Sequence, residues 1–444
     1  MTHGPETYFF ELFQTLQKAI GTEQTLLASI HGEVSNFVRF NHGKVRQSGT
    51  VEQFEISLKL ISGQKIAEAT ITLCGNPNLD LQRLSKLLQA LTTRLSFLPD
   101  DPFLNYNTQA KSTYYEKKSA LPPIHEAIGR ITCLNEEYDL VGILAHGEIF
   151  TGFANSLGQK NWFSQPSFNF DWSIFSHSDK AAKGGYAGFE WNEEILESKL
   201  RKTQERLSLL KAPQKTIRPG TYRVFLTPKA VSEICGLLKW GSFSKKSIET
   251  KTSSLLKMVN GEKNLDSRIN IREESESGVS PRFNSFGFLK QNKIDLIHAG
   301  QFGTALTSPR SAQEYGVDTN GAENHEHPDS LRIDGGTLEE SEILSELDTG
   351  LYISNLWYLN FSDRNNCRMT GMTRFATFWV EGGRIRAPLN VMRFDDSLFR
   401  MLGENLVNLT KSTERLFDSS TYHRRSTSSM ELPGMLLSGL TLTL

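Results

Sequence analysis

One stretch, residues 350–390, reading GLYISNLWYLNFSDRNNCRMTGMTRFATFWVEGGRIRAPLN, constrains the fold of this 444-residue chain more than any other. Within 351–359 the apolar residues fall on both parities: Leu351, Ile353, Trp357 and Leu359 on one, Tyr352, Leu356 and Tyr358 on the other. A strand with that pattern has to be covered on both faces, so it is predicted to lie inside a sheet. Residues 368–380 read as a second strand. Glu381-Gly382-Gly383-Arg384 then makes a tight turn, because two glycines supply the positive φ a short hairpin requires, and 384–388 is the returning strand.

A chain of this length exceeds what one core usually holds, so two domains are expected. Lys+Arg 49 against Asp+Glu 50 leaves a net charge of −1, which argues against a broad electrostatic footprint for nucleic acid or an anionic membrane. The partners to expect are polypeptides or small molecules. No run approaches the roughly 18–20 apolar residues needed to span a bilayer, and residues 1–21 carry acidic residues and phenylalanines where a signal peptide needs a basic start and an apolar block. The expected location is cytoplasmic. Cys74, Cys133, Cys235 and Cys367 stand far apart without a CxxC spacing, so neither a zinc knuckle nor a redox pair is indicated.

In chain order, Phe9, Leu12, Phe13, Leu16 and Ile20 give a helical stripe over 8–20. Residues 36–41, 44–51, 54–60 and 66–73 read as four short strands, and Leu81, Leu84, Leu88, Leu91 and Leu95 place a helix over 79–98. Helix, meander and helix make an α+β layer. Residues 99–118 have no period and read as a surface connection. Pro122-Pro123 opens a helix, 139–149 returns to strand, and 163–176, with Phe168, Phe170, Trp172 and Ile174 alternating with polar residues, reads as a strand with an exposed face. Asn192 caps a helix that Pro213 stops. The boundary follows there: an N-terminal α+β domain over 1–215 and a β-rich C-terminal domain over 216–444.

In the second half, 221–226 reads as a strand and 228–240 as a helix, 275–280 as a mobile loop, 295–299 as a strand and 398–406 as a short helix. Asn324-His325-Glu326-His327 contains a His-x-His pair that Glu326 or Asp329 could complete as a metal set, yet its Gly, Asn, Pro and Asp surroundings offer no apolar frame, and it reads as a solvated loop. Thr370-Gly371-Met372-Thr373-Arg374 lies between two strands. If a strand edge is open there, Gly371 lets a peptide backbone approach and Arg374 can pair with a carboxylate; otherwise Gly371 marks a bulge and Arg374 a structural ion pair.

The GLY-I strand, Thr370-Gly371, the long strand ending Val380-Glu381-Gly382-Gly383, then Pro388 and Asn390, resemble the C-terminal domain of the TldD/PmbA (TldE) family of peptidase-related proteins. A second element, Gly152-Phe153-Ala154-Asn155-Ser156-Leu157-Gly158, resembles the family's Gly-x-x-Asn-Ser-x-Gly motif; by itself it also reads as a glycine-bounded turn with an Asn-Ser cap. Gly371, Thr373, Arg374, Asn155 and Ser156 are the candidate peptide-binding residues.

Metal-bearing TldD relatives carry His-Glu-x-x-x-His on the strand-Pro-helix unit, with a cysteine ligand near the C-terminus. This chain has Ala230-Val231-Ser232-Glu233-Ile234-Cys235-Gly236-Leu237 there, no histidine between His177 and His298, and no cysteine after Cys367. Glu233 and Cys235, two apart on a helix, point about 200° from each other and cannot share one ion. The resemblance therefore implies the metal-free TldE/PmbA branch: no catalytic residue and no metal in this chain, zinc only in a TldD-like partner, and a heterodimer that trims short or unfolded peptides. The alternative is a stand-alone, non-catalytic peptide-binding homodimer. An independent hydrolase would need Ser156 with His177, or Cys367, as nucleophile.

Overall fold

The computed structural model describes residues 4–176 and 180–443, and it is an α+β protein built on two sheets. The first has seven strands: β1 (Gln24–Asn41), β2 (Lys44–Ser62), β3 (Lys65–Leu73), β4 (Thr113–Glu116), β5 (Asp139–Asn155), β6 (Lys160–Phe175) and β7 (Ala181–Gly188), ordered β3-β2-β1-β5-β6-β4 with β7 also on β6. Four helices attend it: α1 (Pro5–Leu16), α2 (Pro77–Leu95), α3 (Ile124–Cys133) and α4 (Glu193–Leu209). The predicted N-terminal strands merge, because the two-residue turn at His42-Gly43 joins β1 to a β2 that runs unbroken through Val51, Glu52 and Gln53.

α2 shows how the sequence sets an element. Asn76 accepts a hydrogen bond from Leu79 N, Pro77 occupies the first turn where its missing N–H costs nothing, and Leu84, Leu88, Leu91 and Leu95 recur on one face. That face packs with α1 residues Phe9, Leu12 and Phe13 on the β1–β3 meander, each leucine contributing about 2 kcal/mol by leaving water. Asp80 fixes the register: it accepts from Tyr8 OH at 2.6 Å and from Cys74 N and Gly75 N, each at 2.9 Å.

β6 departs from the expected half-exposed strand. It lies between β5 and both β4 and β7, and Phe168, Phe170, Trp172 and Ile174 are buried under α4 along with Leu196 and Leu200. The covering helix lies beyond the strand in sequence, so local alternation could not show it. The connection at 99–118 likewise contains β4, parallel to β6.

The second sheet has eleven strands: β8 (Gly220–Leu226), β9 (Ile271–Glu274), β10 (Lys293–His298), β11 (Gln301–Phe302), β12 (Ser330–Ile333), β13 (Gly350–Asp363), β14 (Arg368–Glu381), β15 (Arg384–Pro388), β16 (Arg393–Ser397), β17 (Leu406–Phe417) and β18 (Ser429–Leu442). Its order is β11-β10-β9-β12-β18-β16-β14-β13-β8, and β18 pairs with β8 as well, so β18, β16, β14, β13 and β8 close a ring. α5 (Pro228–Leu238) packs on β13 and β18, burying Ala230, Val231, Ile234, Cys235, Leu237 and Leu238 in the largest core. Ala376 and Phe378 of β14 pack into the β5–β6 core of the first sheet, so the two sheets share apolar contacts.

One other expectation in this half is corrected. Residues 275–280 are held in place: Ser275, Val279 and Ser280 are buried, and Ser280 Oγ hydrogen-bonds Ser330 Oγ at 2.9 Å. The short helix read over 398–406 is present, helical from 398 and continuing as a π-turn, Arg400–Glu404, kinked at Gly403, after which β17 begins.

Candidate functional site

A cavity of about 580 Å³ opens where the two sheets meet. β6 and β7 line it with Asp171, Lys183 and Tyr186, α4 with Glu194, Lys199 and Arg206, and the second sheet with Thr227, Lys229, Tyr352, Ser354, Asn355 and Glu414. Several of these charges neutralise one another across the seam: Lys199 pairs with Glu414, and Lys202 with Glu340 at 2.8 Å. Arg206 donates to Tyr352 Oη at 2.9 Å and lies over its ring. Burial pushes the Asp171 carboxyl above its ordinary range, with Lys229 and Lys183 opposing.

The beginning of α5 is bolted to β13. Thr227 N donates to Ile353 O at 3.1 Å, Thr227 Oγ1 donates to Ser354 O at 2.6 Å, and the same Oγ1 accepts from Ala230 N to cap the helix. The next residue, Asn355, is only 4% exposed and lines the cavity. Its Oδ1 accepts from Ser354 Oγ, and its amide nitrogen makes no hydrogen bond among the described residues. Sequence reasoning passed over Asn355, although a polar Ser-Asn pair inside an otherwise apolar covered strand is itself a signal.

The five residues singled out in the sequence are not brought together. Gly371, Thr373 and Arg374 lie on β14, which is no edge: β13 pairs on one side and β16 on the other, with Gly371 opposite Phe394. The backbone groups there are already used, Thr373 N donating to Met392 O at 2.9 Å and Thr373 Oγ1 accepting from Met392 N at 3.0 Å. The register shifts between Trp357 and Asn360 opposite Gly371, so the bulge sits on β13, and Gly371 makes room for Leu359. Arg374 is exposed, makes no ion pair among the described residues, and lies over Trp357 with 4.7 Å to the ring centre. It stands across from Asn355 in register, and the next residue, Phe375, has Lys183 of the cavity wall over its ring.

Asn155 and Ser156 sit elsewhere, at the end of β5. Asn155 Oδ1 accepts from Leu157 N and Gln159 N, and Ser156 Oγ accepts from Leu26 N at 3.1 Å, so this motif closes a turn. His177 lies outside the described residues. Cys367 is fully buried with its thiol pushed up to about 12 by desolvation, which leaves no thiolate for nucleophilic attack.

The residues at the family's metal position do not fit zinc. Cys235 is sealed in the core with its thiol raised to about 12, and no imidazole accompanies it. The 324–327 segment is not the solvated loop expected. Glu326 is 1% exposed, and its carboxylate accepts from Ser244 Oγ, Lys246 N and Ser308 N at 2.6, 3.0 and 2.8 Å, tying down the starts of Lys245–Glu249 and Pro309–Tyr315. Burial acts to raise its pKa, but those hydrogen bonds outweigh it and hold the carboxyl below its usual value. Asp329 is engaged by Lys290 at 2.7 Å.

On the far side of the seam, residues 418–428, the β17–β18 connection, reach across to the first sheet. Arg424 and His423 each pair with Glu55 at 3.1 Å. Arg425, 8% exposed, donates to Ser35 Oγ, Gly147 O, Ser167 O and Ser167 Oγ at 3.3, 3.2, 3.0 and 2.7 Å, and its own N–H reaches Glu33 Oε1 at 3.2 Å.

Among the described residues, no helix is long and apolar enough to cross a membrane. A family model described as the PmbA/TldA metallopeptidase C-terminal domain matches residues 219–444. No functionally curated protein matches the sequence significantly. Three solved structures share the whole architecture. A candidate modulator of DNA gyrase from Thermotoga maritima has TM-score 0.78 at 15% identity, covering 99% of this chain and 100% of that one. TldE from Thermococcus kodakarensis has TM-score 0.78 at 13% identity, covering 98% and 100%. A second candidate gyrase modulator, from Bacteroides thetaiotaomicron, has TM-score 0.74 at 15% identity, covering 98% of each chain. At such identities these three speak for the fold, whereas the family match takes in more than half of the sequence, from the residue before β8 to the last. The chain belongs to the PmbA/TldD family.

Proposed function

We propose that this chain is the TldE-like, metal-free subunit of a TldD/TldE-type metallopeptidase, a cytoplasmic heterodimer that trims short or unfolded peptides, and that peptide enters the cavity at the seam. One observation carries the reading. The cavity keeps hydrogen-bonding and charged side chains at the start of α5, while the body of that helix, where metal-bearing relatives place His-Glu-x-x-x-His, is spent on packing through Ala230, Val231, Ile234, Cys235, Leu237 and Leu238. In this reading the chain holds the substrate, and the zinc and its chemistry belong to the partner. Arg206, Lys229 and Asn355 orient the peptide, and Arg374, paired in register with Asn355, lies outside the lining.

Co-purification tests the pairing. A tagged copy expressed in the native host is expected to bring down, in equal amount, a homologue that carries the His-Glu-x-x-x-His helix. Recovery only of this chain with itself would contradict the pairing and favour the stand-alone binding homodimer.

A further inference from the structure

The cavity wall at the start of α5 gathers donors that nothing in the protein uses. α5 has eleven residues, and Lys229 stands at its second position, where a backbone N–H has no intrahelical acceptor. The Lys229 ammonium makes neither a hydrogen bond nor an ion pair among the described residues, unlike Lys199 and Lys202, and its charge acts at longer range on Asp171. Asn355 supplies an independent observation. Its side chain is 96% out of solvent, its oxygen is already taken by Ser354, and its NH₂ group is left without a partner where it lines the cavity. The nitrogen is not among the fully buried unpaired atoms, so it is open to the cavity, where an acceptor on a ligand can reach it. The bolt through Thr227 to Ile353 and Ser354 keeps the two features side by side.

We propose that this end of the cavity binds the C-terminal carboxylate of a peptide, held by Asn355 Nδ2, the Lys229 backbone N–H and the Lys229 ammonium. The proposal rests on the reading of this chain as a peptide-binding subunit and adds which end of the peptide it holds. A helix start with a free lysine favours an anion. The lining as a whole, with Lys183, Lys199, Lys202, Arg206, Lys229 and Arg415 against Asp171, Glu194, Glu340 and Glu414, carries more cationic than acidic side chains, so the ligand is an anion, and the peptide-binding reading requires that anion to be part of a peptide. A chain terminus meets both conditions. It also lets binding ignore side-chain sequence, since every linear peptide carries the same group.

The test uses the full-length chain and a mixed-sequence hexapeptide pool labelled at the N-terminus, made once with free C-terminal carboxylates and once amidated. Fluorescence anisotropy is expected to show the carboxylate pool binding about tenfold more tightly, the worth of one charge-assisted contact. Lys229→Gln and Asn355→Leu should each shrink that ratio, and the double variant should bring it near one. Lys229 is only half-buried and free of partners, so Lys229→Gln should keep its melting temperature and remains interpretable even if Asn355→Leu folds poorly. Equal binding of the two pools by the unaltered protein would overturn the carboxylate site and leave peptide binding standing. Failure of both pools to bind would overturn the peptide reading and this site with it.

Discussion

Gly371→Val is expected to cost about 3 kcal/mol of folding stability. A Cβ at this position would meet Leu359 Cδ1 and Phe394 Cε1 at 2.8 Å and Leu359 Cγ at 2.9 Å, and valine adds two further methyl groups. Relief by backbone movement is blocked, because β14 is hydrogen-bonded to β13 on one side and β16 on the other, and Phe394 is fully buried. Arg374→Ala, by contrast, removes an exposed side chain with no ion pair and should change stability by less than about 0.5 kcal/mol. Urea denaturation reads both. A melting point unmoved by Gly371→Val would mean that β14 has a free edge and that the ring of strands is wrongly closed.

The second large effect falls on the β17–β18 connection. Arg425→Met should destabilise the protein by about 3–5 kcal/mol, as expected when one partner of a buried charged network is removed. The guanidinium donates to the carbonyls of Gly147 and Ser167. Burial pulls its pKa down to about 10, with Glu33 opposing, so it is still charged at neutral pH. Methionine fills the volume but leaves the two carbonyls without the guanidinium, while Glu33 keeps its hydrogen bonds from the backbone N–H of residue 425 and from Gln53 Nε2 and loses only the nearby positive charge. Gly147 cannot yield to compensate. Its φ is +150°, and a Cβ there would stand 2.2 Å from Val34 O. Arg425→Lys should recover part of the loss, since one ammonium reaches fewer acceptors than the planar fork. Guanidinium denaturation of the three proteins checks the order; equal midpoints would show that the connection is not seated on the first sheet.

What the sequence made legible follows from where the information is local. The double-parity pattern of 351–359 announced a strand covered on both faces, which holds for β13 from Leu351 to Leu356 but not beyond it, where Trp357 and Tyr358 are 47% and 76% exposed; Asn192 announced the start of α4, and its side chain accepts from Ile195 N. The family's motifs were legible too, because turns such as Asn155-Ser156 and Gly382-Gly383 are written in a few adjacent residues. The partners of β14 were not. β16 follows β14 closely in sequence, but nothing in Arg393–Ser397 says which edge it takes. The burial of Glu326 was hidden for a similar reason, since its acceptors' donors, Ser244, Lys246 and Ser308, come from two other segments. The cavity is the extreme case. Asp171, Arg206, Lys229 and Asn355 belong to four elements, and only the packing of one sheet on the other assembles them.

The central claim, a substrate-holding subunit that does not hydrolyse by itself, is tested most directly by a cleavage assay on an unfolded peptide with and without the metal-bearing partner. The expected result is no turnover by this chain alone, turnover when the two are mixed, and loss of that turnover on adding a chelator. Turnover by the purified chain alone, at a rate comparable to the mixture, would contradict the account.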